Sequence, residues 1–170
     1  IALKTGKPVY DVTLGLYNPD IKDYIWLNVS AIPQFKPGED KPYQVFVTLH
    51  DLTQRRMVER DYQTLFREML DGFALHEIIC DDMGNPVDYR VLNINPAFEK
   101  LTGLVANEVR GKTVLEIMPT TEKHWIETYG KVALTGEPAL FENYAEALGK
   151  YFQVTAYRPA PMQFATIFSD

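Results

Sequence analysis

The chain states one pattern twice, and no other feature restricts its fold as much. Ile1-Ala2-Leu3-Lys4-Thr5-Gly6-Lys7-Pro8 is echoed by Val132-Ala133-Leu134-Thr135-Gly136-Glu137-Pro138. Three strand candidates follow in each case. Both copies close on a β-branched or aromatic run and an acid, Val47-Thr48-Leu49-His50-Asp51 and Thr166-Ile167-Phe168-Ser169-Asp170. A unit of helix end plus three strands therefore occurs twice. The second copy has a front half that the first lacks, so the complete unit is expected from Phe73 to Asp170 and the first is expected to be truncated.

Residues 1 to 53 read as all-β. Val9 to Leu16, Tyr24 to Ala31 and Tyr43 to Leu49 are strand candidates, separated by Asn18-Pro19-Asp20 and by Pro33 to Pro42 with its Pro37-Gly38 turn. Ile25, Leu27, Val29 and Ala31 alternate with Trp26, Asn28 and Ser30, which gives the meander one apolar face. From Thr53 the period becomes helical. Val58, Tyr62, Leu65 and Met69 recur at 4-3-4 spacing, Phe66 and Leu70 widen the stripe, and Asp71-Gly72 supplies a stop. Such a helix can pack on its own domain or pair two chains as a short coiled coil; fewer than three heptads leave both open.

In the second half, Phe73 to Cys80 and Val87 to Ile94 read as strands around an Asp81-to-Pro86 turn. Asn95-Pro96-Ala97-Phe98-Glu99-Lys100-Leu101-Thr102-Gly103 then specifies a very short helix. Asn95 can cap it, Pro96 suits the first helical position where an N–H would be wasted, and Gly103 ends it. Asn107 to Met118 reads as one or two helical turns ended by Pro119. Thr121 to Leu134 is a longer helix, with Trp125, Tyr129, Val132 and Ala133 on one side. Strands are expected at Ala139 to Ala145, Tyr151 to Tyr157 and Gln163 to Phe168.

At 170 residues the chain has room for one ordinary domain, or for one domain plus a fragment of another, and 46% hydrophobic residues can fill a core. The net charge of −6 argues against a nucleic-acid partner. Arg55, Arg56 and Arg60 are interleaved with Glu59 and Asp61 and read as a solvated helix face. The single cysteine, Cys80, reads as a structural thiol and fits a reducing, cytoplasmic setting. No apolar run reaches the roughly 18 to 20 residues that span a bilayer. The chain is expected to begin and end inside a larger protein, whose membrane anchorage stays open.

The order ββ, helices, βββ carries five local motifs: Asn95 to Gly103, Glu108-Val109-Arg110-Gly111-Lys112, Ile117-Met118-Pro119, Thr135-Gly136-Glu137-Pro138 and Ser169-Asp170. Together they resemble a PAS domain of bacterial sensor proteins. Asp51-Leu52-Thr53-Gln54-Arg55-Arg56 is similar to the Asp-Ile-Thr stretch that ends PAS domains and leads into a signalling helix. The resemblance implies an α+β fold: a PAS-like five-stranded antiparallel sheet with helices on one face, enclosing a small pocket. It divides the chain into 1–53, the C-terminal half of an upstream PAS domain; 54–71, a linker helix; and 72–170, a complete PAS domain. The three-stranded half would leave Tyr43 to Leu49 as an open edge.

The pocket candidates are Phe98, Val114, Trp125, Tyr129, Phe141 and Phe152, with Tyr157 and Phe168 as further aromatics that line or fill it. Flavin PAS domains carry a reactive cysteine three residues after a glycine equivalent to Gly111; here that position is Val114. Haem PAS domains use a histidine on the longer helix. His124 lies there, but Trp125 is closer to the ligand register, and one residue turns a side chain by about 100°. His76 and His50 read as surface or capping residues, and the three histidines form no metal spacing. No nucleophile elbow or phosphate-cradling loop appears, Glu142 and Glu146 read as solvent-facing, and His76-Glu77 is not a phospho-acceptor motif. The expectation is a non-catalytic sensory or relay module that binds a small molecule or partner. Asp51, Thr53, Val58, Tyr62, Leu65 and Met69 would pass the signal. A homodimer would form through the linker helix and the open sheet edge, and a histidine kinase or diguanylate cyclase output would be covalently linked in the parent. The alternative is a haem- or flavin-bearing gas, redox or light sensor.

Overall fold

The computed structural model describes residues 1–146 and 148–169. Asp170, the acid that closes the second repeat, lies outside the described residues. The chain divides into two compact units, Ile1–Gln63 and Thr64–Asp170.

The first unit opens with a single helical turn, α1 (Ala2–Thr5), ended by Gly6 in the left-handed conformation. Strands β1 (Val9–Asn18), β2 (Asp23–Phe35) and β3 (Pro42–Asp51) then form an antiparallel sheet in the order β1-β2-β3. β1 is bulged between Val9 and Val12, where Asp11 takes φ 52° and donates its N–H to Ser30 Oγ at 3.1 Å. β2 runs past Ala31, the expected end, and through Pro33. Its register with β1 stops at Ala31, while Pro33 lies opposite Val45 of β3. The missing proline N–H therefore interrupts no pairing on the β1 side, where that stretch of β2 is an edge. Only Ala2 and Pro33 are buried in this unit.

Helix α2 (Thr53–Glu68) leads from the first unit into the second. It stops short of the expected residue 71, its last turn closed by Met69 N–H on Leu65 C=O at 3.0 Å.

The second unit contains β4 (Gly72–Cys80), β5 (Pro86–Ile94), α3 (Pro96–Thr102), α4 (Ala106–Val109), α5 (Val114–Ile117), α6 (Lys123–Thr135), β6 (Ala139–Ala145), β7 (Lys150–Tyr157) and β8 (Gln163–Ser169). The five strands are antiparallel in the order β5-β4-β8-β7-β6, so first and last strands are neighbours. Local chemistry places α3, α5 and α6. Asn95 Oδ1 accepts the Phe98 N–H at 2.9 Å, Pro96 opens α3, and Gly103 at φ 77° closes it. Thr113 and Glu116 form a reciprocal capping box on α5. In α6, a Cβ at Gly130 would collide with the Pro86 ring, so only glycine lets this helix lie so close to the start of β5.

Candidate functional site

Period-two alternation decides which side chains of the five-stranded sheet meet the helices. In β7 it buries Phe152, Val154 and Ala156 and exposes Tyr151, Gln153, Thr155 and Tyr157. In β4 it buries Ala74, His76 and Ile78. Phe164 of β8, wholly buried, stacks on Tyr129 of α6 and on His76, with both centroid separations 4.7 Å.

Between sheet and helices lies a cavity of about 100 Å³. β4 contributes His76, β5 Tyr89 and Val91, α3 Phe98 and Thr102, and α5 Val114 and Ile117. Trp125 and Tyr129 come from α6, Phe152 and Val154 from β7, and Thr166 and Phe168 from β8. Part-exposed Met118, Thr121 and Glu122 complete the wall where the chain enters α6.

The electrostatics follow from burial. His76 is 5% exposed, and its Nδ1 has no hydrogen-bond partner among the described residues. Desolvation lowers its pKa to about 3, so the imidazole is neutral. Burial raises the pKa of the Tyr89 hydroxyl, helped by Asp88 and Glu122, and burial together with Tyr89 raises that of Tyr129. Both remain neutral phenols. Glu122 is the one acidic residue in the wall among the described residues. Burial pushes its pKa up, but the Glu146 N–H donated to its Oε1 at 3.0 Å, its own N–H, His124 and Trp125 together bring it below the usual carboxylate value.

Phe98, Val114, Trp125, Tyr129 and Phe152 stand in this wall, as does Phe168. Phe141 sits behind it, 5.5 Å from the Trp125 ring and 6.0 Å from Tyr129. Tyr157 points out of the sheet. The sequence reading of His76 as a surface residue is overturned: with Ala74 and Ile78 also inward, register puts position 76 on the covered face. That alternation was the available signal. His50 is exposed. His124 is not in the wall, and its Nε2 lies 2.7 Å from Asn143 Nδ2. Cys80 is half-buried against the core, and Glu142 and Glu146 are exposed. Among the described residues no cluster of three His, Cys, Asp or Glu could hold a metal ion, and no helix is long and apolar enough to cross a membrane.

Of the relay candidates, Asp51 accepts the Thr53 N–H at 2.8 Å, and the Thr53 side chain in turn lowers the Asp51 pKa. Thr53 Oγ1 accepts the Trp26 N–H at 2.9 Å. Val58, Tyr62 and Leu65 are exposed along α2, and Met69 is half-buried just after it. The residue that sequence reasoning undervalued is Asn95, which is 1% exposed. Besides capping α3, its Oδ1 accepts the Phe73 N–H at 2.8 Å and its Nδ2 donates to Asp71 C=O at 3.0 Å. One amide thus ties the chain leaving α2, the start of β4 and the helix that carries Phe98 into the cavity wall.

No family model matches the chain, and no curated protein sequence matches it. Solved structures with which it aligns include a domain of a sensory box sensor histidine kinase/response regulator from Geobacter sulfurreducens, at 17% identity and TM-score 0.48, covering 70% of this chain and 99% of that one. A PAS domain of an HTR-like protein from Haloarcula marismortui aligns at 18% identity and TM-score 0.46, covering 68% and 98%. The PAS domain of Bordetella pertussis BvgS aligns at 16% identity and TM-score 0.37, covering 66% and 84%. A five-stranded antiparallel sheet, short helices over one face and a pocket between them, with Asn95 to Gly103 opening the helical layer, give the second unit the PAS fold.

Proposed function

We propose that the second unit is a non-catalytic sensory module that takes a small molecule into its cavity and passes the resulting change through α2 to an output domain outside this chain. The observation that carries the reading is the cavity itself, apolar over most of its wall and lined in part by His76, whose buried Nδ1 has no hydrogen-bond partner among the described residues. Asn95 supplies the route. A ligand that displaces Phe98 bears on the N–H that Asn95 accepts, and the same side chain holds Asp71 and Phe73 just beyond α2. Binding shifts such a device only through different affinity for its two states.

In the parent protein the division would be an upstream half-domain over 1–53, a linker helix over 54–71 and a PAS domain over 72–170. Exposed Val58, Tyr62 and Leu65 suit pairing of α2 with a second copy, and β3, an edge of its sheet, offers unpaired backbone groups for the same purpose. Native mass spectrometry of the purified chain should find a bound small molecule. Single cysteines at Val58, Tyr62 and Leu65 in a Cys80→Ser background should cross-link between chains, with yields that change on ligand removal. Absence of inter-chain products in every state would end the relay reading.

A further inference from the structure

We infer that the cavity selects an uncharged, flat molecule of phenol or azole type, whose single hydroxyl or ring N–H pairs with His76. This rests on the reading of the cavity as a ligand site and adds the chemistry of what enters it.

Size comes first. A dry cavity of roughly 150 Å³ holds benzene, so one of about 100 Å³ with a part-exposed rim suits about five to seven non-hydrogen atoms. Shape follows from the wall, where the rings of Tyr89, Phe98, Trp125, Tyr129, Phe152 and Phe168 present flat apolar faces and edges.

Charge is decided by what the described wall lacks and by the ionised Glu122. The wall contains no lysine or arginine among its described residues, so a carboxylate or phosphate would be desolvated without a counter-charge. Glu122 would add repulsion. A cation fares little better, because Glu122 is the N-cap residue of α6, where the helix end already favours negative charge, and its Oε1 is engaged by the Glu146 N–H.

Polarity is decided by His76. Its ring is held by Phe164 on one face and by the edge contact with Tyr89 at 5.0 Å. The neutral imidazole has one donor nitrogen and one acceptor nitrogen. A ligand hydroxyl both donates and accepts, so it matches either tautomer, whereas a pure hydrocarbon leaves the imidazole as it stands.

The test uses the whole chain and four flat probes of about six to seven non-hydrogen atoms: phenol, toluene, crotonate and N-methylpyridinium. Isothermal titration should give phenol at least about tenfold tighter than toluene, with crotonate and N-methylpyridinium weaker still. In His76→Phe, and in His76→Leu as a second variant, circular dichroism should show the native fold and the phenol-to-toluene ratio should fall to about one. Toluene equal to phenol in the native chain, a preference for either ion, or a ratio unchanged by both substitutions would overturn the inference. So would failure of all four probes to bind. A small molecule found by native mass spectrometry in any of those cases would leave the ligand-site reading standing while this chemistry falls; an empty protein that also refuses toluene would remove both.

Discussion

The two sheets are built alike and buried very differently. Each has a three-stranded antiparallel run that follows a helix end, β1-β2-β3 after α1 and β6-β7-β8 after α6. In the second unit the run is extended by β4 and β5 and roofed by helices, so alternate residues of β7 are buried. In the first, Tyr10, Leu14, Leu16, Phe46 and Leu49 remain exposed. Local sequence is enough to write the hydrogen-bonded ladder. It does not by itself make a core, which needs a second layer to remove the apolar face from water.

The two tryptophans fall one to a unit, Trp26 and Trp125, so each can be followed with the other replaced by phenylalanine. The largest contrast should come from paired phenylalanines. Phe164→Ala, at a wholly buried position, should cost about 4 kcal/mol read at Trp125 in urea. Phe46→Ala, where the ring is 56% exposed, should change the Trp26 transition by less than about 0.5 kcal/mol. Equal effects would break the comparison.

Asn95→Ala removes a cap and leaves the Phe73 and Phe98 N–H groups and the Asp71 carbonyl unmatched, so a loss of about 3 kcal/mol in the second unit is expected. A Trp26 transition that moved equally would show that the two units unfold together.

Acid sharpens the same contrast. His76 has a lowered folded pKa, near 3 against 6.5, so between those values the unfolded chain holds a proton that the folded chain refuses. Stability must therefore fall as pH drops through that window, by about 2.5 kcal/mol from pH 7 to 4.5 for this group. His76→Phe should flatten that part of the Trp125 profile relative to the native chain, with Trp26 at the same pH values as internal control.

The smallest effect belongs to the first unit. The Arg56 guanidinium lies 4.4 Å from the Trp26 ring centre, and Arg56→Ala should cost about 0.5 to 1 kcal/mol there. The Trp125 transition should not move.

What the sequence made legible was whatever a few adjacent residues decide. Asn95, Pro96 and Gly103 wrote α3 outright, and the Thr135-Gly136 stop ended α6 with Gly136 at φ 81°. The strands emerged from their β-branched runs, with ends moved where context differed, as at Pro33, whose breaking effect vanishes on the unpaired side of β2. The pocket wall was partly readable because Trp125 and Tyr129 share a helix face. His76 was not, because a histidine in a strand reads as surface until the register of its neighbours Ala74 and Ile78 is followed. The cavity volume was out of reach altogether, since it depends on how the described strands and helices of the second unit all meet.

The strand order has a consequence in time. β4 pairs with β5, and β6 with β7, through short connections, but the two hairpins touch in the sheet only through β8. A chain emerging from the ribosome as far as Tyr157 therefore holds two hairpins with no strand between them. The long-range pairing that joins them must wait until Gln163–Ser169 has been made, when β8 enters between β4 and β7, and until then the edges of both are open to the wrong partner.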